Sequence, residues 1–335
     1  MKVSREQLLK SLESVAGGLA KKEVLAQSNC FVFREGQVVT FNDEVSVKAP
    51  SPLDVEGAVP AEPLLLLLRK LNEAELEVVV KDDALQIKGK NRQSSIRMEQ
   101  EVLLPVDGLE QPGKYRPIPE KLVEGLKTVS ACCSNDESSF LLTCVNVSSD
   151  CLEASDDFQI ISYPIQTGIK KPFLIKKESI AKLAVLEPTA WCETENWLHF
   201  KCASDVVISA RRYVEDFPNV SQYMDVEGSA VKLPKGLEAA LDKAQIFSGE
   251  EQSNNLVTVT FAKGRFEIMG EGATGWYRER RKTDYDGDDL QFKIAPRLLM
   301  EISRRSDECV VGEGRIKVDA GTFTYITVTQ VKEDE

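Results

Sequence analysis

One apolar pattern recurs three times along the chain at nearly constant spacing, and it restricts the possible folds more than any other feature. Leu8, Leu12 and Val15 stand at i, i+4 and i+7, the spacing of a single helical face. The pattern returns as Leu122, Leu126 and Val129, then as Leu237, Leu241 and Ala244, at offsets of 114 and 115 residues. A second set, Val59, Leu64 and Leu67, matches Ile175, Ile180 and Leu183 and then Ile294, Leu299 and Ile302, at offsets of 116 and 119. Pro119 and Pro234 lie just ahead of two of these helical stretches, where a helix can begin. Asn42-Asp43 corresponds to Ser155-Asp156, and Leu104-Pro105 to Phe217-Pro218, each 113 residues on. The third copy departs from both landmarks and carries Gly270-Glu271 where the aspartate would be. A tandem array with an atypical last copy is expected.

Between the helical stretches the sequence turns strand-like, as in Cys30–Phe33, Gln37–Thr40, Glu77–Val80 and Leu256–Phe261. Each copy therefore reads as two helices with about seven or eight strands. Short connections imply antiparallel pairing with the helices on one face. The fold class is α+β. The expected domains are 1–110, 111–227 and 228–335, with turn-rich boundaries near 107–115 and 225–230. Three such domains fit 335 residues.

Charge is unevenly spread. The chain carries a net charge of −12, which taken alone argues against a protein coated in nucleic acid. The six helical stretches nevertheless hold 14 Lys or Arg against 9 Asp or Glu, whereas the remainder holds 28 against 45. Helices sharing one surface would make that surface positive and draw a polyanion through its phosphates. The same residues could instead offset helix dipoles at C-termini.

Several other signals read as structural. None of the eight cysteines forms a C-x-x-C pair, and buried free thiols are expected. With one histidine, His199, neither a zinc site nor a nucleophile–histidine pair is favoured. Gly270–Gly275 spells G-x-G-x-x-G, but no helical face follows, so a glycine-rich hairpin is expected rather than a nucleotide site. Asp284–Asp289 has its glycine misplaced for a calcium loop and reads as a turn. No cofactor, metal or catalytic residue is expected. The N-terminus lacks an apolar signal core and the leucine run 64–68 is far too short to span a bilayer, so a cytoplasmic location is expected.

Taken with the repeat, a series of local motifs resembles the bacterial sliding clamp family, the β subunit of DNA polymerase III, as a divergent or phage-encoded member. The matching segments are Val15-Ala16-Gly17-Gly18-Leu19, Val59-Pro60-Ala61, Ala154-Ser155-Asp156 with Tyr163-Pro164-Ile165, Asp216-Phe217-Pro218-Asn219 and Tyr325-Ile326-Thr327-Val328. The resemblance spans essentially the whole chain. It implies a homodimer joined head to tail into a ring, helices lining the hole, encircling duplex DNA without sequence preference as a processivity factor. A ring scaffold of the same fold without DNA sliding is the alternative.

The resemblance also implies sites. Lys22, Arg69, Lys70, Phe140 and Leu141 match positions that approach DNA, and the basic helix residues Lys176, Lys177, Lys182, Arg297, Arg304 and Arg305 join them. Ile246 and Phe247 match the subunit contact, with Leu104 opposite. DNA polymerase and clamp loader would bind through short peptides in a groove. The groove positions are Leu142, Ser155, Asp157, Phe158, Gln159, Ile160, Pro218, Gln222, Tyr223, Ile326, Val328, Thr329 and Gln330. In place of the family's Gly-His-Arg after the aspartate stands Asp157-Phe158-Gln159, and the chain closes on an acidic tail, so a different set of peptides is implied.

Overall fold

The computed structural model describes residues 1–248 and 255–331. Six helices follow the repeat: α1 (Arg5–Val15), α2 (Ala61–Lys70), α3 (Leu122–Ser130), α4 (Lys177–Leu186), α5 (Leu237–Ala244) and α6 (Pro296–Arg305). The apolar triplets of α1, α3 and α5 are all buried, as their spacing requires. Local chemistry starts the helices. Ser4 caps α1 by accepting the Gln7 amide, and Pro296 occupies the first turn of α6. Arg69 and Lys70 in α2, and Arg304 and Arg305 in α6, stand in last turns, where a positive charge offsets the dipole.

One register expectation fails. In α2 the buried leucines are Leu64, Leu65 and Leu68, while Leu67 is only half-buried. α4 and α6 keep the expected pairs Ile180/Leu183 and Leu299/Ile302 inside.

The chain forms two compact units. The first comprises Met1–Lys127 with Phe173–Glu215, the second Thr128–Pro172 with Asp216–Glu335. Each unit thus joins a terminal copy to half of the middle one. In the first unit an antiparallel sheet runs Gly57–Pro60, Cys30–Arg34, Gln37–Phe41, Val45–Pro50, Val207–Arg211, Trp197–Lys201, Ala190–Glu193 and Arg116–Pro117. The join between copies is the pairing of Val45–Pro50 with Val207–Arg211. A smaller sheet of Lys2–Ser4, Glu75–Lys81, Ala84–Lys88 and Gln93–Arg97 completes this unit.

The second unit repeats the plan. Its sheet includes Cys144–Val147, Cys151–Ser155, Gln159–Pro164, Thr324–Val328, Arg315–Asp319, Glu308–Gly312 and Gly228–Lys232. Here the join is Gln159–Pro164 against Thr324–Val328. A five-stranded sheet runs Gly275–Lys282, Arg265–Gly272, Val257–Ala262, Leu290–Ile294 and Gln330–Val331.

The glycine-rich motif is the tip of a hairpin, with Gly272 opposite Gly275. Gly270 is needed for packing, because a Cβ there would lie 1.9 Å from the Ala244 carbonyl oxygen at the end of α5. Asp284–Asp289 is an irregular loop, and among the described residues no group of three or more His, Cys, Asp or Glu side chains could hold a metal. His199 is a buried strut. Its Nδ1 lies 2.8 Å from Ser209 Oγ and its Nε2 3.3 Å from Thr194 Oγ1. All eight cysteines are free, and all but Cys151 are buried.

Leu104 does not stand on an exposed contact surface as expected. It is buried in a cluster with Cys30, Val32, Phe41, Ala58 and Trp197, and the exposed neighbour is Leu103. Among the described residues no helix is long and apolar enough to cross a membrane.

Candidate functional site

A hollow of about 470 Å³ lies wholly within the second unit, and its lining includes eleven of the thirteen residues that the resemblance implies for a partner groove, from Leu142 to Val328. Its construction starts at a turn. Asp156 Oδ1 accepts the amides of Phe158 and Gln159, both at 3.1 Å, and Asp157 takes a left-handed conformation (φ 72°). This turn throws the Phe158 ring outward, leaving it 52% exposed. Backbone bonding continues past the turn, since the Val328 amide donates to the Phe158 carbonyl at 2.9 Å. Val328 consequently stands beside Phe158, also 42% exposed.

Buried hydrogen bonds hold the turn rigid. Tyr325 Oη donates to Gln159 Oε1 (2.8 Å), and Gln159 Nε2 donates to Asp156 Oδ2 (2.8 Å). Burial raises the Tyr325 phenol above its usual range, so it remains a donor. Gln159 is therefore a buried support more than a contact surface. The opposite wall comes from Pro218–Tyr223. Asn219 Oδ1 accepts from Ser221 N and Oγ, fixing a short 3-10 turn that exposes Tyr223. Ile160 and Ile326, paired across the sheet, contribute the apolar floor.

Thr329 and Gln330 border a neighbouring hollow of about 740 Å³, which shares Phe158 and Val328 with the first and includes Pro296 and Arg297. Both flanking strands of Thr324–Val328 are occupied, so an incoming peptide finds no free sheet edge there. A peptide bound there could be recognised only through side chains entering the hollows.

The sequence assignment missed Arg315, Gly314, Asn219, Val220 and Thr327, all of which line the groove. Glu313-Gly314 is a recognisable turn dipeptide, but only strand register places Arg315 opposite Val328.

The basic residues expected to face DNA separate into two groups. Lys22, Arg69 and Lys70 are exposed, and Lys177 is half-buried. Lys182 is half-buried too, and burial pulls its ammonium below the ordinary lysine value, with Glu178 and Glu44 partly offsetting this. Phe140 and Leu141 are half-buried in the 3-10 segment Glu137–Thr143. Arg69 reaches Glu13 at 3.0 Å, and Arg304 reaches Glu301 at 3.0 Å and Glu238 at 3.4 Å.

Three residues depart from the expected DNA-facing role. Lys176 has a side chain only 15% exposed and pairs with Glu44 at 3.1 Å, so its charge is used internally. Arg305 is 12% exposed, pairs with Glu301 and lies over the Tyr325 ring at 4.7 Å. Arg297 lies over Phe158 at 5.4 Å and meets Asp156 at 3.5 Å, which makes it part of the groove rim. Of the expected subunit-contact residues, Ile246 is 70% exposed just beyond α5, and Phe247 is half-buried against Gly275.

The chain is similar in fold to solved bacterial sliding clamps. One from Pseudomonas aeruginosa, DNA polymerase III subunit beta bound to griselimycin, is 15% identical, with a TM-score of 0.85 and 99% of each chain covered. A DNA polymerase sliding clamp from Bacillus subtilis is 16% identical, with a TM-score of 0.82 and the same coverage. The DNA polymerase III beta subunit from Thermotoga maritima is 18% identical, again with a TM-score of 0.82 and 99% of each chain covered. No family model and no curated protein sequence matches. At these identities the likeness establishes the fold, which is that of a sliding clamp.

Proposed function

We propose that this protein is a non-catalytic DNA sliding clamp that tethers a polymerase and other partners through its groove, in the cytoplasm. The observation that supports this reading is the coincidence of fold and hollow. The fold covers 99% of a sliding clamp chain, and one hollow gathers eleven of the thirteen residues that the resemblance implies for partner peptides. In this reading the three copies are the domains 1–110, 111–227 and 228–335, and two chains close head to tail into a ring.

Ring closure needs two unlike surfaces, because a heterologous contact repeated around an axis closes only on itself. Gln93–Arg97 ends one sheet of the first unit and Gly275–Lys282 ends one of the second. Among the described residues both edges are unpaired, and with Phe247 against Gly275 they would supply complementary backbone for such a contact. Lys22, Arg69, Lys70, Lys177 and Lys182 would face DNA, where loose phosphate contacts permit sliding. Retention on nicked circular DNA, with loss from linear DNA of equal length, tests the proposal. Equal retention on both would sink it. Sedimentation at the mass of one chain would remove the ring.

A second reading, a clamp-fold scaffold that does not slide on DNA, is favoured by one observation: Arg69, Arg304, Arg305 and Lys176 all spend charge on internal carboxylates. Partner capture combined with no topological retention on circular DNA would select it.

A further inference from the structure

The groove contains two guanidinium–aromatic pairs whose electrostatics differ. Arg315 stands opposite Val328 in the strand pairing, and Val328 is bonded to Phe158, so Arg315, Val328 and Phe158 form one row across the groove face. At the Phe158 end, Arg297 lies over the ring and is already held by the Asp156 carboxylate. At the other end, Arg315 lies over Tyr223, 5.6 Å from the ring centroid. Among the described residues no carboxylate pairs with it.

Arg315 is half-buried and lines the hollow. A guanidinium partly removed from water and lacking a counter-charge interacts more strongly with an incoming carboxylate than a fully solvated one does. Stacking on Tyr223 keeps its planar donor edge presented, and planar donors suit a carboxylate in two-bond geometry. Val328, next in the row, offers an apolar contact beside that charge. We infer that the groove takes an extended peptide carrying a carboxylate next to an apolar side chain, with the carboxylate on Arg315 and the apolar group on Val328 and Ile326. Arg315 is the specificity-determining residue of the site. This rests on the reading of the groove as a peptide site.

The carboxylate can come from an aspartate or glutamate side chain or from a chain terminus. Random decapeptides displayed in two formats, one internal to a carrier and one with a free C-terminus, separate these sources when selected on the full-length protein. Wild type is expected to enrich Asp or Glu beside large apolar residues. Arg315→Gln should keep the apolar preference and lose the acidic one, while Arg315→Lys should keep part of it. For a selected peptide, Asp→Asn should weaken binding about tenfold on wild type and hardly at all on Arg315→Gln. Enrichment confined to the free-terminus format assigns the carboxylate to the chain end. Wild-type selections without acidic enrichment overturn the role of Arg315 and leave the groove standing. Selected peptides that bind Phe158→Glu as well as wild type overturn the groove itself, and the inference with it.

Discussion

The turn at Asn42–Val45 in the first unit and the turn at Asp156–Gln159 in the second have the same backbone and opposite surfaces. Asn42 Oδ1 accepts the amides of Glu44 (3.2 Å) and Val45 (2.8 Å), as Asp156 does for Phe158 and Gln159. Asp43 and Asp157 share a left-handed conformation, with φ of 73° and 72°. The Arg211 amide donates to the Glu44 carbonyl at 2.8 Å, as Val328 does to Phe158 at 2.9 Å. Glu44 and Arg211 thus hold the backbone places of Phe158 and Val328. In the first unit those places are sealed by charge. Glu44 meets Lys176 and the Tyr213 hydroxyl, and Arg211 meets Asp43 at 2.6 Å. In the second they are apolar and open. A satisfied ion network gains little from a partner, whereas an exposed apolar patch gains the free energy of being covered. The candidate groove is therefore a side-chain property of the second unit, laid on a backbone that both units possess.

The largest effect should come from exchanging the surfaces. Phe158→Glu combined with Val328→Arg gives the second unit the pair that the first already tolerates at these positions, so folding should persist. Peptide binding at the groove should fall by at least roughly thirtyfold, the scale of losing central apolar anchors. Titration calorimetry with a selected peptide, alongside a thermal melt, checks both halves. Unchanged affinity would break the comparison.

Next in size is the seal itself. Glu44→Gln leaves the Lys176 ammonium, 15% exposed, without its carboxylate. We expect a loss of about 2 kcal/mol of stability, with part recovered when Lys176→Met is added, because Glu44 then no longer offsets the desolvation of the Lys176 ammonium. Urea midpoints of the single and double variants decide this. No recovery in the double variant would place the cost elsewhere.

Acid should then distinguish the units. Burial, opposed only in part by Glu110, pushes His199 in the first unit down to about 4, and it is the only histidine in the chain. The unfolded chain takes up this proton near pH 6.5 and the folded chain does not. Stability from His199 is therefore present above pH 6.5 and lost as pH falls toward 4, by about 1–2 kcal/mol at pH 5. Protection of the Trp197–Lys201 amides, corrected for the intrinsic exchange rate at each pH, should fall over that window more than that of Thr324–Val328, and His199→Gln should abolish the difference. An equal fall in both strands would remove His199 as the cause.

How much of this was legible in the sequence follows from what sequence patterns can encode. Helical faces were readable because buried positions such as Leu8, Leu12 and Val15 alternate with polar ones. The register of α2 was not, because five consecutive leucines, Leu64–Leu68, offer no contrast between inside and outside. The turn landmark slipped by one residue: the structural equivalents are Asn42-Asp43 and Asp156-Asp157, 114 apart, rather than Ser155-Asp156. Both candidate pairs contain the small polar and acidic types that such a turn uses, so composition alone could not separate them. Lys176 and Arg305 looked like surface cations because their partners, Glu44 and the Tyr325 ring, are set by tertiary contact. The groove residues came from the resemblance. Arg315 escaped because its position depends on the register between two strands.

The smallest expected effect tests whether the two turns are equivalent at all. Asp156→Asn makes the second turn chemically like Asn42. The amide oxygen can still accept from Phe158 and Gln159, so the turn should hold. What disappears is the carboxylate facing Arg297, whose side chain is 55% exposed, and with it the Oδ2 that accepts from Gln159 Nε2. Turning the Gln159 amide over restores that bond, with the introduced Nδ2 donating to Gln159 Oε1 and Gln159 Nε2 donating to the Tyr325 hydroxyl, so stability should change by only about 1 kcal/mol. Release of Arg297 from its counter-charge should, however, give the Phe158 end of the row a second available guanidinium. Peptides selected on Asp156→Asn should then accept a carboxylate at either end of the row instead of at Arg315 alone. A large loss of stability would mean that the carboxylate, and not the turn, holds this part of the groove together. The two turns would then share a shape without sharing its cause.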